Sequence, residues 1–280
     1  MTRTVEIDSV KIGGDAPLAL IAGPCVIESA EIMRRTAGTL KEIASDLGLG
    51  LVFKSSFDKA NRSSLGSYRG PGFQEGLETL AGLAEEFGFP VISDVHEVRQ
   101  VETAARHLHA LQIPAFLSRQ TELLLAAADT GRVVNVKKGQ FMAPDDMALV
   151  VEKMRSAPNF RGLCLCERGS CFGYHNLVVD MRSLVVMRDF GWPVVFDATH
   201  SVQRPSAGQG TSGGDRHFIP ALARAAVSVG VDALFMEIHP DPDKALCDGP
   251  NQWPLDQAKE LLTGLRDLHR LTKERNAAFA

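Results

Sequence analysis

Short apolar runs of three to five residues alternate with longer amphipathic stretches along the chain. Runs of this length without polar alternation are typical of strands that are buried on both faces of a parallel sheet. The sequence predicts eight such strands: Leu18–Ala22, Leu51–Lys54, Val91–Ser93, Ala110–Ile113, Val133–Lys137, Gly162–Cys166, Val194–Asp197 and Ala233–Glu237.

The stretches between these runs repeat their apolar residues every three to four positions, which is the spacing of amphipathic helices. The sequence predicts helices over Ile32–Leu47, Glu75–Phe87, Val98–Leu108, Glu122–Thr130, Asp145–Arg155, Leu177–Arg188, His217–Val229 and Leu255–Leu271.

Eight strand–helix units in 280 residues favour an α/β fold, a single (β/α)8 TIM barrel that occupies residues 1–280. The leading segment Val5–Ile12 alternates like a surface strand, and we expect a short N-terminal β-hairpin at about residues 1–16 that closes the bottom of the barrel. A doubly wound open sheet is the competing fold. It is less favoured because no G-x-G-x-x-G motif follows the first strand.

The composition is that of a soluble globular protein, with 45% hydrophobic and 23% charged residues. A net charge of −4 gives no overall attraction to nucleic acid or to an anionic membrane, so neither is expected as a partner. The N-terminus lacks the apolar core of a signal peptide, and no apolar run approaches the ~20 residues that span a bilayer. Five cysteines in a chain of this length indicate reduced thiols in a cytoplasmic protein.

A glycine-rich stretch, Ala207–Gly214, follows the seventh predicted strand. A linker is not expected inside a strand–helix unit. The sequence therefore favours a mobile loop over an active site, where closure excludes water.

The segment Lys54–Ser64 places two lysines, an arginine, an asparagine and several serines directly behind a predicted buried strand. Cations at such a position are costly unless an anion meets them, and lysine and arginine both bind phosphate oxygens. A lysine-rich loop is more often merely solvated, but the interleaved Ser, Asn and Arg favour a site for a small phosphorylated anion.

Polar residues stand at nearly every predicted strand end, and in a barrel the carboxyl ends of the strands face one common site. One subset is cationic and suits phosphate and carboxylate: Lys54, Lys59, Arg62, Lys137 and Arg168. A second subset offers sulfur, nitrogen and oxygen, which suits one divalent transition metal: Cys25, His200, Glu237 and Asp248. Spacing alone leaves open that Cys25 is an inert buried thiol. We interpret Cys164, Cys166 and Cys171 as packing residues.

Polar and glycine-containing motifs occupy the segments Ile21–Ser29, Lys54–Ser64, Asn135–Phe141, Glu167–Gly169 with Phe172–Tyr174, Phe196–Gln203 and Glu237–Pro240. These motifs resemble those of the 3-deoxy-D-manno-octulosonate 8-phosphate synthases, and the resemblance covers nearly the whole chain. The resemblance implies a (β/α)8 barrel, usually a homotetramer. It also implies a transferase that condenses phosphoenolpyruvate with D-arabinose 5-phosphate to give the octulosonate phosphate and inorganic phosphate, on the route to lipopolysaccharide.

The resemblance also implies roles for individual residues. Phosphoenolpyruvate is expected to contact Lys54, Lys59, Lys137 and Arg168, with Ser56 and Gln112 as hydrogen-bonding partners and Asp94 and His200 as further catalytic residues. The pentose phosphate is expected to use Asn61 for its hydroxyls and Arg62 with Ser63 for its phosphate. Arg119 matches an arginine that reaches this phosphate from a neighbouring subunit.

Cysteine after Gly-Pro distinguishes the metal-requiring members of this family from metal-free members, which carry asparagine there. Cys25 therefore implies a bound Zn, Fe, Mn or Co ion, with Cys25, His200, Glu237 and Asp248 as its ligands. The segment Cys247–Pro250, in contrast, is similar to the version found in metal-free members.

Two other functions are compatible with parts of the pattern. A 3-deoxy-D-arabino-heptulosonate 7-phosphate synthase would use the same donor and an aldose phosphate one carbon shorter, but Ala60–Ser64 resembles the octulosonate enzymes at the acceptor loop. A non-catalytic barrel that binds a sugar phosphate is disfavoured by the complete set of cations and His200.

Overall fold

The computed structural model describes residues 2–62, 64–205 and 213–277. Within these residues the strands, in chain order, are β1 Val5–Ile7, β2 Val10–Ile12, β3 Ala19–Gly23, β4 Gly50–Lys54, β5 Val91–Asp94, β6 Ala110–Ile113, β7 Val133–Lys137, β8 Leu163–Glu167, β9 Ser170–Cys171, β10 Leu177–Val178, β11 Val194–Asp197, β12 Gln203–Arg204, β13 Gly213–Gly214, β14 Ala233–His239 and β15 Trp253–Pro254. The α-helices are α1 Ala30–Leu47, α2 Phe73–Phe87, α3 Val98–His107, α4 Thr121–Asp129, α5 Met147–Arg155, α6 Arg182–Arg188, α7 Ile219–Val229 and α8 Ala258–Ala277.

The eight strands predicted from the sequence close into a parallel barrel. The order is β3-β4-β5-β6-β7-β8-β11-β14, and β14 pairs in parallel with β3. All eight predicted strands are present, and the largest change is that β14 continues to His239. The (β/α)8 prediction is therefore confirmed, and the open doubly wound sheet is excluded.

The predicted N-terminal hairpin is also confirmed, since β1 and β2 pair antiparallel with Val5 opposite Ile12. Its alternating pattern buries the valines and isoleucines and exposes Glu6 and Lys11. The hairpin lies against the amino ends of the barrel strands, where two glycines leave room for it. A Cβ at Gly50 would lie 2.7 Å from Val10, and a Cβ at Gly162 would lie 2.8 Å from Val5.

Helix α1 shows how local sequence sets the helix bounds. The Ser29 side chain accepts a hydrogen bond from the backbone N–H of Ile32 and begins the helix. Gly48 ends it in the left-handed region at φ 64°. Between them, residues from Met33 to Leu47 at helical spacing pack into the core. Among the described residues, no helix reaches the length and hydropathy that a bilayer-spanning segment requires.

The predicted helix Leu177–Arg188 is wrong in its first half. Leu177 and Val178 form β10, which pairs with β9, and α6 begins only at Arg182. β-branched residues favour extended backbone, and the Asp180 carboxylate accepts the N–H of Arg182, which sets the later start. Single-turn 3₁₀ segments likewise precede α5, α7 and α8, so these helices begin later than predicted.

Strand register places polar residues together at the carboxyl rim of the barrel. Asp94 is paired with Gln112, and Gln112 with Asn135. On the other side of the rim Glu237 is paired with Gly23. The rim is therefore lined by side chains from all sides of the barrel, and the hairpin seals the opposite end.

Gly23 lets β3 approach the end of β4 at this rim. A Cβ at Gly23 would lie 2.1 Å from the backbone oxygen of Lys54, so no larger residue fits without moving that strand end. We expect Gly23→Ala to lower the free energy of unfolding by about 1–3 kcal/mol through overpacking. A helical glycine with nothing near its Cβ position, Gly264 in α8, is the control. Gly264→Ala should be neutral or stabilise by up to about 1 kcal/mol. Thermal unfolding of both variants measures this, and equal melting temperatures would contradict the close-approach argument.

Candidate active site

Lys54 is a buried cation at the end of β4. Its Nζ donates to the Glu237 Oε1 at 3.0 Å and to the backbone oxygen of Cys25 at 3.1 Å. Lys59 Nζ lies 3.4 Å from the same Glu237 oxygen. Burial alone would raise the pKa of Glu237, but Lys59, His200 and Lys54 together hold it well below its usual range. Glu237 is therefore ionised and compensates two lysines.

Lys137, at the end of β7, is held by a second carboxylate. Its Nζ donates to Asp197 Oδ2 at 2.6 Å and lies 3.6 Å from the centre of the Phe235 ring. Asp197 also binds His200 through the ring Nδ1 at 2.7 Å and the backbone N–H at 2.9 Å. Burial would raise the pKa of Asp197, but His200 and Lys137 hold it far below its usual range. A Nδ1–H bond to a carboxylate leaves the His200 Nε2 lone pair free for a ligand.

Arg168 supplies a third buried cation, just beyond β8. Its Nη2 donates to Gln203 Oε1 at 3.0 Å, whereas Nη1 is buried without a hydrogen-bond partner among the described residues. Glu167 fixes the backbone here, because its Oε1 accepts the N–H groups of Arg168 and Gly169 and its Oε2 accepts the Ser183 hydroxyl. A buried guanidinium donor without a partner indicates a place for an anion oxygen.

A buried hydrogen-bond chain continues around the rim through Asp94. The Ser56 hydroxyl and the Gln112 amide both donate to Asp94, and Asn135 donates to Gln112 Oε1 at 2.8 Å. Burial would raise the pKa of Asp94, but the positive charge of Lys54 and Lys59 holds it well below its usual range. Ser56, Asp94 and Gln112 are thus brought together as one network.

Two of the residues predicted for the pentose phosphate, Asn61 and Arg62, lie at the outer edge of the rim. Asn61 is exposed, while Arg62 is half-buried with Nη1 2.9 Å from the Cys247 sulfur and 3.9 Å from Asp248 Oδ1. Ser63 lies outside the described residues, as do residues 207–212 of the predicted mobile loop. These two predictions stay untested.

Arg119 is not part of the cation cluster of its own chain. It is exposed beyond β6 and lines a cavity of about 390 Å³ together with Lys153, Asp146 and Glu152. The Lys153 ammonium donates to the backbone oxygen of Arg119 and to the Thr121 hydroxyl, which ties α5 to this loop.

The four predicted metal ligands fall into two overlapping groups. Cys25, Cys247 and Asp248 form one, and His200, Glu237 and Asp248 form the other. Within each group the candidate ligand atoms all lie within 4.8 Å of one another. The Glu237 Oε2 is buried without a hydrogen-bond partner in the described structure and lies 3.6 Å from the His200 Nε2. An orphaned carboxylate oxygen beside an imidazole nitrogen, a thiol and a second carboxylate fits a divalent transition metal.

The other buried thiols belong to the core. Cys164 and Cys166 are fully buried in β8 within the main hydrophobic cluster. Burial raises the pKa of both thiols well above the usual range, as expected of inert packing residues.

Some residues that hold this site together carry weaker signals in the sequence. Asn135 interrupts the apolar run of β7, and a polar residue inside a buried strand is itself a signal of a functional network. Asp197, Glu167 and Gln203 stand in the recognised motifs, but only the structure shows that they anchor Lys137, His200 and Arg168.

Comparison with known proteins gives a consistent result. The sequence pattern of the DAHP synthetase I family matches residues 2–274. A protein of Syntrophotalea carbinolica is 56% identical over 273 residues, which cover 98% of both chains. A protein of Geobacter metallireducens is 56% identical over 98% of this chain and 100% of its own. A protein of Magnetococcus marinus is 56% identical over 97% of this chain and 94% of its own. All three relatives are named 2-dehydro-3-deoxyphosphooctonate aldolase.

The converging cations predict that the site binds a simple anion. Inorganic phosphate is expected to raise the melting temperature. At ten times its dissociation constant it should increase the free energy of unfolding by about 1.4 kcal/mol. Lys137→Met should weaken phosphate binding about tenfold, the value of one charge-assisted hydrogen bond, and so shrink this shift. Lys11→Met, on the hairpin at the opposite end of the barrel, should leave the shift unchanged. Identical phosphate-induced shifts in both variants would show that the anion binds elsewhere.

Proposed function

Since the chain belongs to the DAHP synthetase I family and is 56% identical to 2-dehydro-3-deoxyphosphooctonate aldolases over nearly its full length, we propose that it makes 3-deoxy-D-manno-octulosonate 8-phosphate. The substrates are phosphoenolpyruvate, D-arabinose 5-phosphate and water, and inorganic phosphate is the second product. The enzyme is thus a carbon–carbon bond-forming transferase of lipopolysaccharide biosynthesis. We also infer that it works in the cytoplasm.

One observation carries the proposal from the structure: buried lysines and a partly unpartnered arginine converge at one rim of the barrel. Lys54 and Lys137 are each buried against a carboxylate, and Arg168 keeps a buried donor that has no partner in the part of the chain that the structure describes. Phosphoenolpyruvate carries a phosphate and a carboxylate, so its binding requires several fixed cations. We assign Lys54, Lys59, Lys137 and Arg168 to the donor, with Ser56 and Gln112 beside them.

In the reaction C3 of phosphoenolpyruvate forms a bond to the aldehyde carbon of the pentose phosphate. Water adds its oxygen to C2, and its proton balances the new hydroxyl at the former aldehyde. The bond between C2 and the phosphate oxygen breaks, and inorganic phosphate leaves.

The residues of the chain hold the two anions against each other, which removes much of the entropic barrier of a bimolecular step. The cations then stabilise the charge that develops on phosphate as it leaves. Asp197 holds the His200 ring and the Lys137 ammonium in position, whereas Asp94 fixes Ser56 and Gln112.

The acceptor is assigned to the outer edge of the rim. We propose that Asn61 binds its hydroxyls and that Arg62 binds its phosphate, with Ser63 as a further phosphate contact carried over from the sequence motif. The exposed position of Arg119, away from the cations of its own chain, supports the proposal that it serves the site of a neighbouring subunit in a homotetramer.

A test of substrate choice separates this function from its alternatives. Phosphate release should require phosphoenolpyruvate and D-arabinose 5-phosphate together, and should be about a hundredfold or more slower with D-erythrose 4-phosphate. Mass spectrometry identifies the product. Preference for the four-carbon aldose would indicate a heptulosonate 7-phosphate synthase, and binding of sugar phosphate without turnover would indicate a non-catalytic barrel.

We further propose that one divalent transition metal, Zn, Fe, Mn or Co, is held by Cys25, His200, Glu237 and Asp248. The support is the donor chemistry of the two ligand groups and the orphaned Glu237 oxygen. Such an ion supplies Lewis acidity to oxygen atoms in the site. A thiol, an imidazole and carboxylates favour these metals over Mg²⁺, which prefers oxygen ligands only.

The metal proposal predicts that a strong chelator abolishes activity and that one of these divalent ions restores it. Cys25→Asn should bind metal poorly, because it removes the proposed sulfur ligand. Elemental analysis of the purified variant measures its metal content. Cys171→Ser, which alters a thiol outside both ligand groups, should behave like the unchanged protein. Full activity in chelator, with no metal found in the purified protein, would overturn the proposal.

A further inference from the structure

A second thiol, Cys247, lies beside the proposed metal ligand Cys25. Both cysteines are buried, and together with Val26 they form a small apolar cluster that is separate from the main core, with Tyr68 packed against it. Their sulfur atoms and the Asp248 carboxylate all lie within 4.8 Å of one another. The loops that carry them follow β3 and β14, the strands whose pairing closes the barrel.

The proximity of these thiols is built into the fold by Gln252, which is fully buried. Its Oε1 accepts the backbone N–H of Cys25 at 3.2 Å, and its Nε2 donates to the backbone oxygen of Cys247 at 2.8 Å. One amide side chain therefore holds the backbones of both cysteines. Such a bridge fixes the spacing of the two cysteine backbones, from which the side chains bring the sulfurs together.

The Cys247 sulfur also faces the site rather than the core. It accepts a hydrogen bond from Arg62 Nη1 at 2.9 Å, and the same guanidinium nitrogen lies 3.9 Å from Asp248. Asp248 in turn is shared with the group that contains His200 and Glu237. The two ligand groups thus meet at one carboxylate, with a sulfur pair on one side and the imidazole and Glu237 on the other.

We propose that Cys247 is a second sulfur ligand of the proposed metal centre and makes the centre selective for thiophilic ions. This inference rests on the metal site proposed above and changes its composition. The ligand set implied by the sequence contains one sulfur, whereas the structure offers two beside Asp248. Thiolate ligands favour zinc and similar soft ions over manganese, which prefers oxygen and nitrogen donors. The chain is therefore expected to be a zinc-selective protein rather than one indifferent to the identity of the ion.

The test counts sulfur ligands in the reduced protein loaded with one metal ion per chain. X-ray absorption at the zinc edge should find two sulfur neighbours. In the Co²⁺-loaded protein the sulfur-to-cobalt charge-transfer absorbance should fall to about half in Cys247→Ser, as expected when one of two thiolates is removed. Competition with a chromophoric chelator should show Zn²⁺ affinity falling about tenfold or more, with a much smaller change for Mn²⁺. Cys171→Ser, which removes a thiol outside both ligand groups, is the matched control.

One sulfur neighbour at the zinc edge, or a full charge-transfer band in Cys247→Ser, would overturn the inference and leave the four-residue metal site in place. Absence of any bound ion in the unchanged protein would overturn the metal site as well. The condensation assay with phosphoenolpyruvate and D-arabinose 5-phosphate tests the proposed reaction directly. A failure of that reaction is therefore distinguished from a failure of the metal-ligand inference. The absorption measurement on the unchanged protein decides the question even where the serine variant does not fold.

Discussion

The pairing of buried lysines with buried carboxylates at the barrel rim is the interaction on which the rest of the site depends. Lys54 lies 3.0 Å from Glu237, and Lys137 lies 2.6 Å from Asp197, with almost no solvent exposure on any of the four side chains. An unpaired charge at such depth costs several kcal/mol, so each pair depends on both of its members. The carboxylates come from β11 and β14, and the lysines from β4 and β7. Closure of the barrel through β14 and β3 brings Lys54 to Glu237, whereas β7 and β11 bring Lys137 to Asp197 across β8.

Each of these carboxylates has a second partner, and this links binding to chemistry. Asp197 holds both Lys137 and His200, so the same residue positions the ammonium of one and the ring of the other. Glu237 meets the lysines through Oε1 and leaves Oε2 facing His200. The anion site and the proposed metal site are therefore adjacent, and Glu237 belongs to both. A structural change in the anion site is expected to disturb the proposed metal site, and the reverse. Neither Asp197 nor Glu237 can move without leaving a buried lysine unpaired.

Most of the fold could be predicted from the sequence because buried parallel strands leave a strong apolar pattern. All eight barrel strands and the hairpin follow from that pattern alone. The short strands β9, β10, β12, β13 and β15 could not be found in this way, since two residues carry no periodicity. Leu177 and Val178 were predicted as helix because their apolar character does not by itself distinguish a short strand from the first turn of a helix.

The cations of the site could be predicted from the sequence, whereas most of the residues that hold them and the surrounding loops in place could not. Lys54, Lys137 and Arg168 stand at strand ends, where topology alone gathers them. The role of Gln252, which joins the two cysteine loops, depends on a contact between distant segments that no local pattern carries. The division of the proposed metal ligands into two groups around Asp248 is likewise a property of the folded chain.

The most direct measurement of the central claim is a crystal structure of the protein with phosphoenolpyruvate bound. Its phosphate and carboxylate are expected at the carboxyl rim, within ion-pair distance of Lys137 and Arg168. Arg168 Nη1, which has no hydrogen-bond partner among the described residues, is expected to be paired with the ligand. Phosphoenolpyruvate bound away from this rim, for example in the cavity beside Arg119 and Lys153, would contradict the claim.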